Sequence, residues 1–520
     1  MTRAAGSPAP ANRYRRRLGR RELLLATPAA LLALIGIVWA LSQPLSSAPD
    51  EPEHIVRAVS LYSGSGIKVP LKVVGQTFTG RVRAPEYFVR GLPSQHCVVS
   101  DASRPASCHS KGVADPGRIV KGYTSAAGHP PVYYLLVGWI GRLAPSAFGV
   151  MLMRIWSVLL CAMAVLVATT VLARRAGTME PAIAALTAFS PVAAFLAGSV
   201  NPQTFEICLT ITAFALTWDL FSDLTARGDG PGPPLIRYAA PLATSLALGL
   251  TRPLSAAFLL AAVVVGVVLS RIPWRSLLRP AALLGLAVSL VGVPAAIAFE
   301  ILAGHSSVSL VPADVPSTYS GIQRLLDTVG TMVIQAGGVV SSLEAGASSL
   351  AVGGFVVATL TMLLVAALVG ERRATLVAWA VVAGALALPV VANIPNVVEL
   401  KIVIWQGRYG LPLVGIALAA AAIALLPPGT TVDHRLRRRT FSIVCWSMAI
   451  AHLGGWWFAM YRWAVGIGGP MWWPSRAGWH PPLPWWLLGA GMVVACAGYA
   501  LVLPAIGQVM PSSGRRKSPV

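Results

Sequence analysis

The sequence predicts an all-α polytopic integral membrane protein with about twelve transmembrane helices, and three observations carry that prediction. Hydrophobic residues fill 55% of the 520 positions and charged residues only 12%, where a soluble chain carries about 25% charged residues. The mean hydropathy is +0.68, and most of the length falls in apolar runs that approach the roughly 20 residues needed to cross a bilayer. The third observation is where the charge sits. The net charge of +22 gathers in short tracts between apolar runs: Arg13 to Arg21, Arg174 with Arg175, Arg271 to Arg279, Arg372 with Arg373, Arg435 to Arg439, and Arg515 to Lys517. This is the positive-inside pattern of cytoplasmic loops. It argues against a nucleic-acid partner, which would need basic residues collected with aromatics on one face.

Taken in order, residues 1–22 are a basic cytoplasmic tail and Leu23 to Leu41 is the first transmembrane helix. Ser46 to Ala48 offers the small residues of a signal-peptide cleavage site, but Pro49 just after them would block the cut, so the helix reads as an uncleaved anchor. Residues 42–146 form a large extracytoplasmic loop whose Gly, Pro, Ser and short apolar runs predict a compact unit with one or two surface helices. Within it Val132 to Leu143 is apolar but short for a span. If it crossed, Arg174, Arg175 and nearly every later basic tract would lie outside, so it reads as a re-entrant or interfacial helix.

Helices 2–7 occupy residues 147–303, as Phe148 to Ala173, Ala182 to Ala197, Phe205 to Phe221, Tyr238 to Leu250, Leu254 to Leu269 and Ala281 to Ile301. Residues 304–347 are a second extracytoplasmic segment. Helices 8–12 occupy residues 348–505, as Leu350 to Val369, Leu376 to Val391, Leu411 to Leu426, Phe441 to Ala459 and Trp485 to Leu503, and residues 506–520 are a cytoplasmic tail. Both termini are therefore expected in the cytoplasm.

Cys97 and Cys108 lie in the large outer loop, on the oxidising side of the membrane, where a disulfide between them is expected. Two free thiols are the alternative, and neither a CxxC pair nor Cys/His ligand spacing suggests zinc. Cys161, Cys208, Cys445 and Cys496 fall in apolar segments and read as small core residues.

This topology uses Lys and Arg alone, so the placement of other polar motifs is a partial test of it. They converge on the outer side. Ala48 to Arg57, APDEPEHIVR, packs Asp50, Glu51, Glu53 and His54 into five residues, and carboxylates at a membrane surface are candidates for acid/base work or divalent-metal binding. The plain alternative is a helix start with Asp50 as N-cap and acids near the positive end of the dipole. His129-Pro130-Pro131 with Tyr133 and Tyr134, and Asn201-Pro202-Gln203 with Glu206, fall on the same side. Each doubles as a helix-opening turn. Arg252 and Arg408 are of the kind a lipid-linked phosphate or pyrophosphate needs, because guanidinium binds phosphate bidentately; either alone has the alternative of snorkelling. The tryptophans near Trp456, Trp472 and Trp485 read mostly as an interfacial belt.

APDEPEH after the first span, HPPVYY, GSVNP, Arg252-Pro253 and WQGRYGLPL, in that order, resemble the bacterial membrane proteins grouped as domain of unknown function 2142. The resemblance covers roughly Ser42 to Leu426, and GRY followed by Pro412 is its most distinctive part. That family is similar in turn to the GT-C superfamily of glycosyltransferases, integral membrane enzymes that use polyprenyl-phosphate-linked sugars on the extracytoplasmic side. The resemblance implies a GT-C-like fold in a bacterial plasma membrane. It implies a polyprenyl-phosphate sugar as donor and an envelope glycan, lipid or protein as acceptor. It points to Asp50 and Glu51 as base or metal ligand with Glu53 and His54 in support. It also points to His129 and Tyr133 near the lipid phosphate, where Arg252, Arg408 and Tyr409 would join them. Relatives commonly have an acid after Asn-Pro where this chain has Gln203; Glu206, about one helical turn on, is the residue placed to compensate. Participation of a divalent metal stays open. The alternatives are a transporter or flippase of a lipid-linked envelope precursor, or a non-catalytic envelope-assembly protein. No internal repeat of the carrier kind is evident, and the acids sit near loops, away from the mid-bilayer positions that proton-coupled carriers use.

Overall fold

No charged side chain occurs between Glu22 and Asp50, and a backbone in hydrocarbon must satisfy its own polar groups. The result in the computed structural model is one long helix, α1 (Pro10–Ser42). The structure describes residues 10–74, 77–99, 101–108, 110–303, 330–338, 346–399, 405–426, 432–470 and 472–507. After α1 come α2 (Glu51–Ser60), β1 (Leu71–Val74), β2 (Thr77–Pro85), α3 (Gln95–Val99), β3 (Ile119–Thr124) and α4 (Val132–Leu143). The bundle then continues through α5 (Ala147–Ala176), α6 (Glu180–Ala185), α7 (Pro191–Ala197), α8 (Gln203–Arg227), α9 (Ile236–Gly249), α10 (Ser255–Ser270), α11 (Pro280–Leu290) and α12 (Gly292–Ala303). Helix α13 covers 330–338, and α14 (Ser349–Val369), α15 (Arg372–Glu399), α16 (Leu411–Ala424), α17 (His434–Val465), α18 (Trp485–Ala497) and α19 (Leu503–Ile506) complete the chain. Most of the expected segment 304–347 lies outside the described residues.

Among the described residues nine helices are long and apolar enough to cross a bilayer, or ten if one bent pair is a single span. The difference from the expected twelve falls on three places. Ala182 to Ala197 is not one rod: Glu180–Ala188 and Pro191–Ala197 meet at 77°, where Ser190 caps α7 by accepting the Ala193 N–H. Helices α9 and α10 have 14 and 16 residues, so at 1.5 Å per residue they rise only about 21 and 24 Å. Helix α4, with 12 residues, rises about 18 Å and is too short to cross a core of about 30 Å by itself. Helix α8 is central, with 89% of its most apolar window buried, whereas α14 and α15, at 28% and 17%, turn most of their side chains outward at the rim.

The loop between α1 and α5 differs from its expectation of surface helices alone. It holds a three-stranded antiparallel sheet in the order β1-β2-β3. The period-2 signal is present in retrospect: Gly80, Val82 and Ala84 are buried while Arg81 and Arg83 are exposed, and Gly122 and Thr124 are buried while Lys121 and Tyr123 are exposed. The buried face covers α2. Helix α4 packs on α2 so closely that a Cβ on Gly138 would lie 2.0 Å from the Ala58 carbonyl oxygen. Cys97 and Cys108 are bonded as a disulfide, and the buried Arg462 of α17 donates to the carbonyls of Arg104 (2.8 Å) and Asp101 (3.3 Å). These contacts fasten the layer to one end of the bundle. The other four cysteines are buried thiols.

Candidate active site

Helix α2 begins beneath that layer, and its first residues separate in role. Asp50 occupies the N-cap with φ 57° and ψ 16°, its side chain makes no capping hydrogen bond, and it is exposed. A non-glycine residue in the left-handed region costs roughly 1–2 kcal/mol, least for Asn and Asp, and such strain clusters at functional sites. The conformation turns the Asp50 carboxylate away from the helix whose N-terminus it would otherwise cap.

Glu51, expected beside Asp50 as base or metal ligand, sits in an ion pair. It is fully buried, with Oε1 accepting from Arg154 Nε (2.8 Å) and the Val200 N–H (3.1 Å), and Oε2 accepting from Arg154 Nη2 (2.7 Å). Arg154 spends its other donors on the carbonyls of Gln43 (3.0 Å) and Pro44 (2.9 Å). A carboxylate so engaged locks α1, α2, α5 and the Asn201 turn together. Glu53 is also engaged: it accepts the Ser125 N–H (2.7 Å) and holds the sheet against α2.

One turn further, His54 meets the residues of the HPPVYY motif. The Tyr134 hydroxyl lies 2.9 Å from Nδ1 of His54 and 2.9 Å from Nδ1 of His129. A hydroxyl has one proton, so it donates to at most one ring, and at least one of the two histidines donates its Nδ1–H to it. Burial first, then the neighbouring His129, Arg252 and Arg408, hold the His54 pKa well below 6.5, so its imidazole is neutral at pH 7. Tyr133, the tyrosine expected at the site, is turned away and hydrogen-bonds Ser157 in α5. Tyr134, in contrast, bridges the two histidines. Successive helical residues point about 100° apart, and sequence offers no signal to choose between two adjacent tyrosines.

The arginines do come together. The Cζ atoms of Arg252 and Arg408 lie 5.0 and 5.6 Å from the centroid of the Tyr409 ring. Arg252 is paired with Glu206 (2.8 Å), whose second oxygen accepts from Ser255 Oγ (2.5 Å). Glu206, expected as a supporting acid, base or metal ligand, is thus buried and orients Arg252. Gln203 is buried in the same turn, and its Nε2 has no hydrogen-bond partner among the described residues. Arg408 is buried, its Nε is unpartnered, and no carboxylate pairs with it among the described residues. The preceding glycine explains the GRY turn: Gly407 donates its N–H to Gln335 Oε1 (2.7 Å), and a Cβ there would lie 1.8 Å from the Met332 carbonyl oxygen. Gly407 and Gly410 also line an apolar cavity of about 310 Å³ walled by Phe355, Leu363, Trp379 and Trp405. Among the described residues no three His, Cys, Asp or Glu side chains converge as a metal-ligand set.

Fold and site together define a multi-pass membrane protein with a buried cationic site, flanked by the exposed carboxylate of Asp50, at the end of its bundle. More particularly, the family model described as "Predicted membrane protein (DUF2142)" matches residues 32–417, and the chain belongs to that family. Among solved structures it is similar to ArnT from Cupriavidus metallidurans bound to undecaprenyl phosphate, at 13% identity and a TM-score of 0.41, covering 92% of this chain and 74% of that one. It is also similar to the Archaeoglobus fulgidus oligosaccharyltransferase complex with Zn and sulfate, at 12% identity and a TM-score of 0.36, covering 86% of this chain and 54% of that one. For the apo form of that enzyme the values are 12% and 0.35, covering 92% and 64%. No curated protein matches the chain.

Proposed function

We propose that the protein is a membrane glycosyltransferase. It moves a sugar from a polyprenyl-phosphate donor to an envelope glycan, lipid or protein acceptor, on the extracytoplasmic face of a bacterial plasma membrane and with both termini cytoplasmic. The observation that carries this reading is the buried Arg408, which has no ion pair among the described residues, set beside an apolar cavity. An unpaired buried charge is strongly unfavourable, and an anionic group joined to a hydrocarbon chain relieves it while filling the cavity. Arg252, held by Glu206, adds a second guanidinium to the same anion.

In this mechanism Asp50 accepts the proton of the acceptor hydroxyl as its oxygen forms a bond to the anomeric carbon. The bond from that carbon to the phosphate oxygen breaks, and polyprenyl phosphate leaves with the electron pair, its growing charge met by Arg408 and Arg252. A single in-line displacement inverts the anomeric centre. Asp50 lies within electrostatic reach of Tyr134 and Arg408, and Arg252 within reach of the same two residues. His54, held neutral by its burial, and His129 beside it, both hydrogen-bonded to Tyr134, add hydrogen-bonding groups to this site.

The test is release of polyprenyl phosphate from a panel of lipid-linked sugars by purified protein with a membrane extract. Asp50→Asn is the informative variant, since asparagine also tolerates the left-handed backbone. Release by the wild type and a loss of about 10²–10⁴-fold in the variant supports a base at Asp50. If neither releases lipid while the wild type binds it, transport replaces transfer as the better account.

A further inference from the structure

The sheet face turned away from α2 carries Arg81, Arg83, Lys121 and Tyr123, with Lys72 beside them on β1. All five are exposed, Tyr123 by 62%. Pairing sets their spacing. Arg81 is opposite Tyr123 and Arg83 opposite Lys121. The Arg83 N–H donates to the Ser65 hydroxyl (2.7 Å), and that hydroxyl lies 3.4 Å from the Arg83 carbonyl. Arg83 and Lys121 are therefore a pair without mutual hydrogen bonds, the closer kind, with Cα atoms about 4.5 Å apart. Like charges directly opposite destabilise an antiparallel pair. None of Lys72, Arg81, Arg83 or Lys121 forms an ion pair among the described residues. The acids of this layer are committed elsewhere: Glu86 to Arg90 (2.8 Å) and Arg118 (2.7 Å), Asp101 to Arg104 (3.2 Å), Asp115 to the Arg118 N–H (3.2 Å), and Glu53 to the Ser125 N–H. Residues 61–124 hold nine Lys and Arg against three Asp and Glu, an excess that membrane topology does not ask for on the side read here as extracytoplasmic.

We propose that this face docks a polyanionic glycan, one bearing repeated phosphate or carboxylate groups, as the acceptor in the reaction above. The acceptor role rests on the transferase reading, whereas the binding itself does not. Arg81 and Arg83 are about 6.8 Å apart along their strand, so a single small anion cannot satisfy the patch and a chain of anions can. Tyr123 supplies a rigid amphipathic ring at its centre, suited to lie against a sugar. An anionic bilayer fits less well, because among the described residues the exposed side chains of the face are basic or Tyr123, the aliphatic Ile119 at the start of β3 is half-buried, and a bilayer-seated surface buries exposed apolar groups alongside its basic ones.

The experiment uses full-length protein in nanodiscs of uncharged lipid, with dextran sulfate and uncharged dextran as probes. Binding to dextran sulfate is expected to exceed binding to dextran and to weaken between about 50 and 200 mM salt through charge screening. The triple substitution Arg81→Gln, Arg83→Gln and Lys121→Gln is expected to lower it about tenfold, and Tyr123→Ala several-fold, at wild-type thermal stability and with polyprenyl-phosphate binding intact. Equal binding by the triple variant, equal binding of uncharged dextran, or a preference for phosphatidylglycerol vesicles with no binding of dextran sulfate would each overturn the proposal. If the polyanion binds through this face while no donor ever releases polyprenyl phosphate, the transferase reading fails and the docking surface stands.

Discussion

Asp50 and Glu51 have the same chemistry and adjacent positions, yet the fold makes one an exposed carboxylate and the other half of a buried ion pair. Their substitutions are expected to separate cleanly. Glu51→Gln leaves Arg154 as an uncompensated buried charge, which typically costs about 3–5 kcal/mol, and should lower the melting temperature sharply. Asp50→Asn should leave that temperature near wild type while turnover is lost, and equal melting losses in both would refute the division. His54 adds a pH dependence. Its folded pKa is held below the unfolded value of about 6.5, so the unfolded chain binds the extra proton first and stability falls as pH drops below about 6.5. Above that pH the residue contributes no slope. Melting curves from pH 7.5 to 5 should show the decline, and His54→Asn should make it shallower; an unchanged slope in the variant would assign the effect elsewhere.

At the scale of elements, the site depends on α2 lying against α4, and Gly138 is the contact that permits it. A methyl group there meets backbone, not a flexible side chain, so Gly138→Ala forces the helices apart at a cost of at least about 1–3 kcal/mol. Because His54 is on α2 and Tyr134 is on α4, the expected outcome is a lower melting temperature together with weakened lipid binding. Wild-type values for both would show that α4 shifts without cost. The sheet shows what long-loop reasoning misses. Arg81 to Ala84 and Lys121 to Thr124 alternate visibly, but their pairing spans about forty residues and nothing local announces that the two segments meet.

For the whole molecule, the arrangement of basic tracts predicts which side the layer faces. Reduction of Cys97–Cys108 by a membrane-impermeant reductant, followed by an impermeant thiol label, should mark intact cells, the other four cysteines being buried. Labelling confined to inverted vesicles would reverse the topology and remove the extracytoplasmic setting of the proposed reaction.

By itself the sequence determined the helical membrane class, and it carried the expectation of where the spans fall and that Asp50, His54, His129, Arg252 and Arg408 share one side. These follow from local hydropathy and from charge asymmetry along the chain, which need no knowledge of packing. Tertiary structure alone decided that Arg154 neutralises Glu51, that Glu206 orients Arg252, that Tyr134 and not Tyr133 joins the histidines, and that the Ala182 to Ala197 segment is broken. Each of these depends on which face of a helix meets a partner distant in sequence. One residue along a helix turns that face by about 100°, so neighbours of identical chemistry receive different partners and different roles.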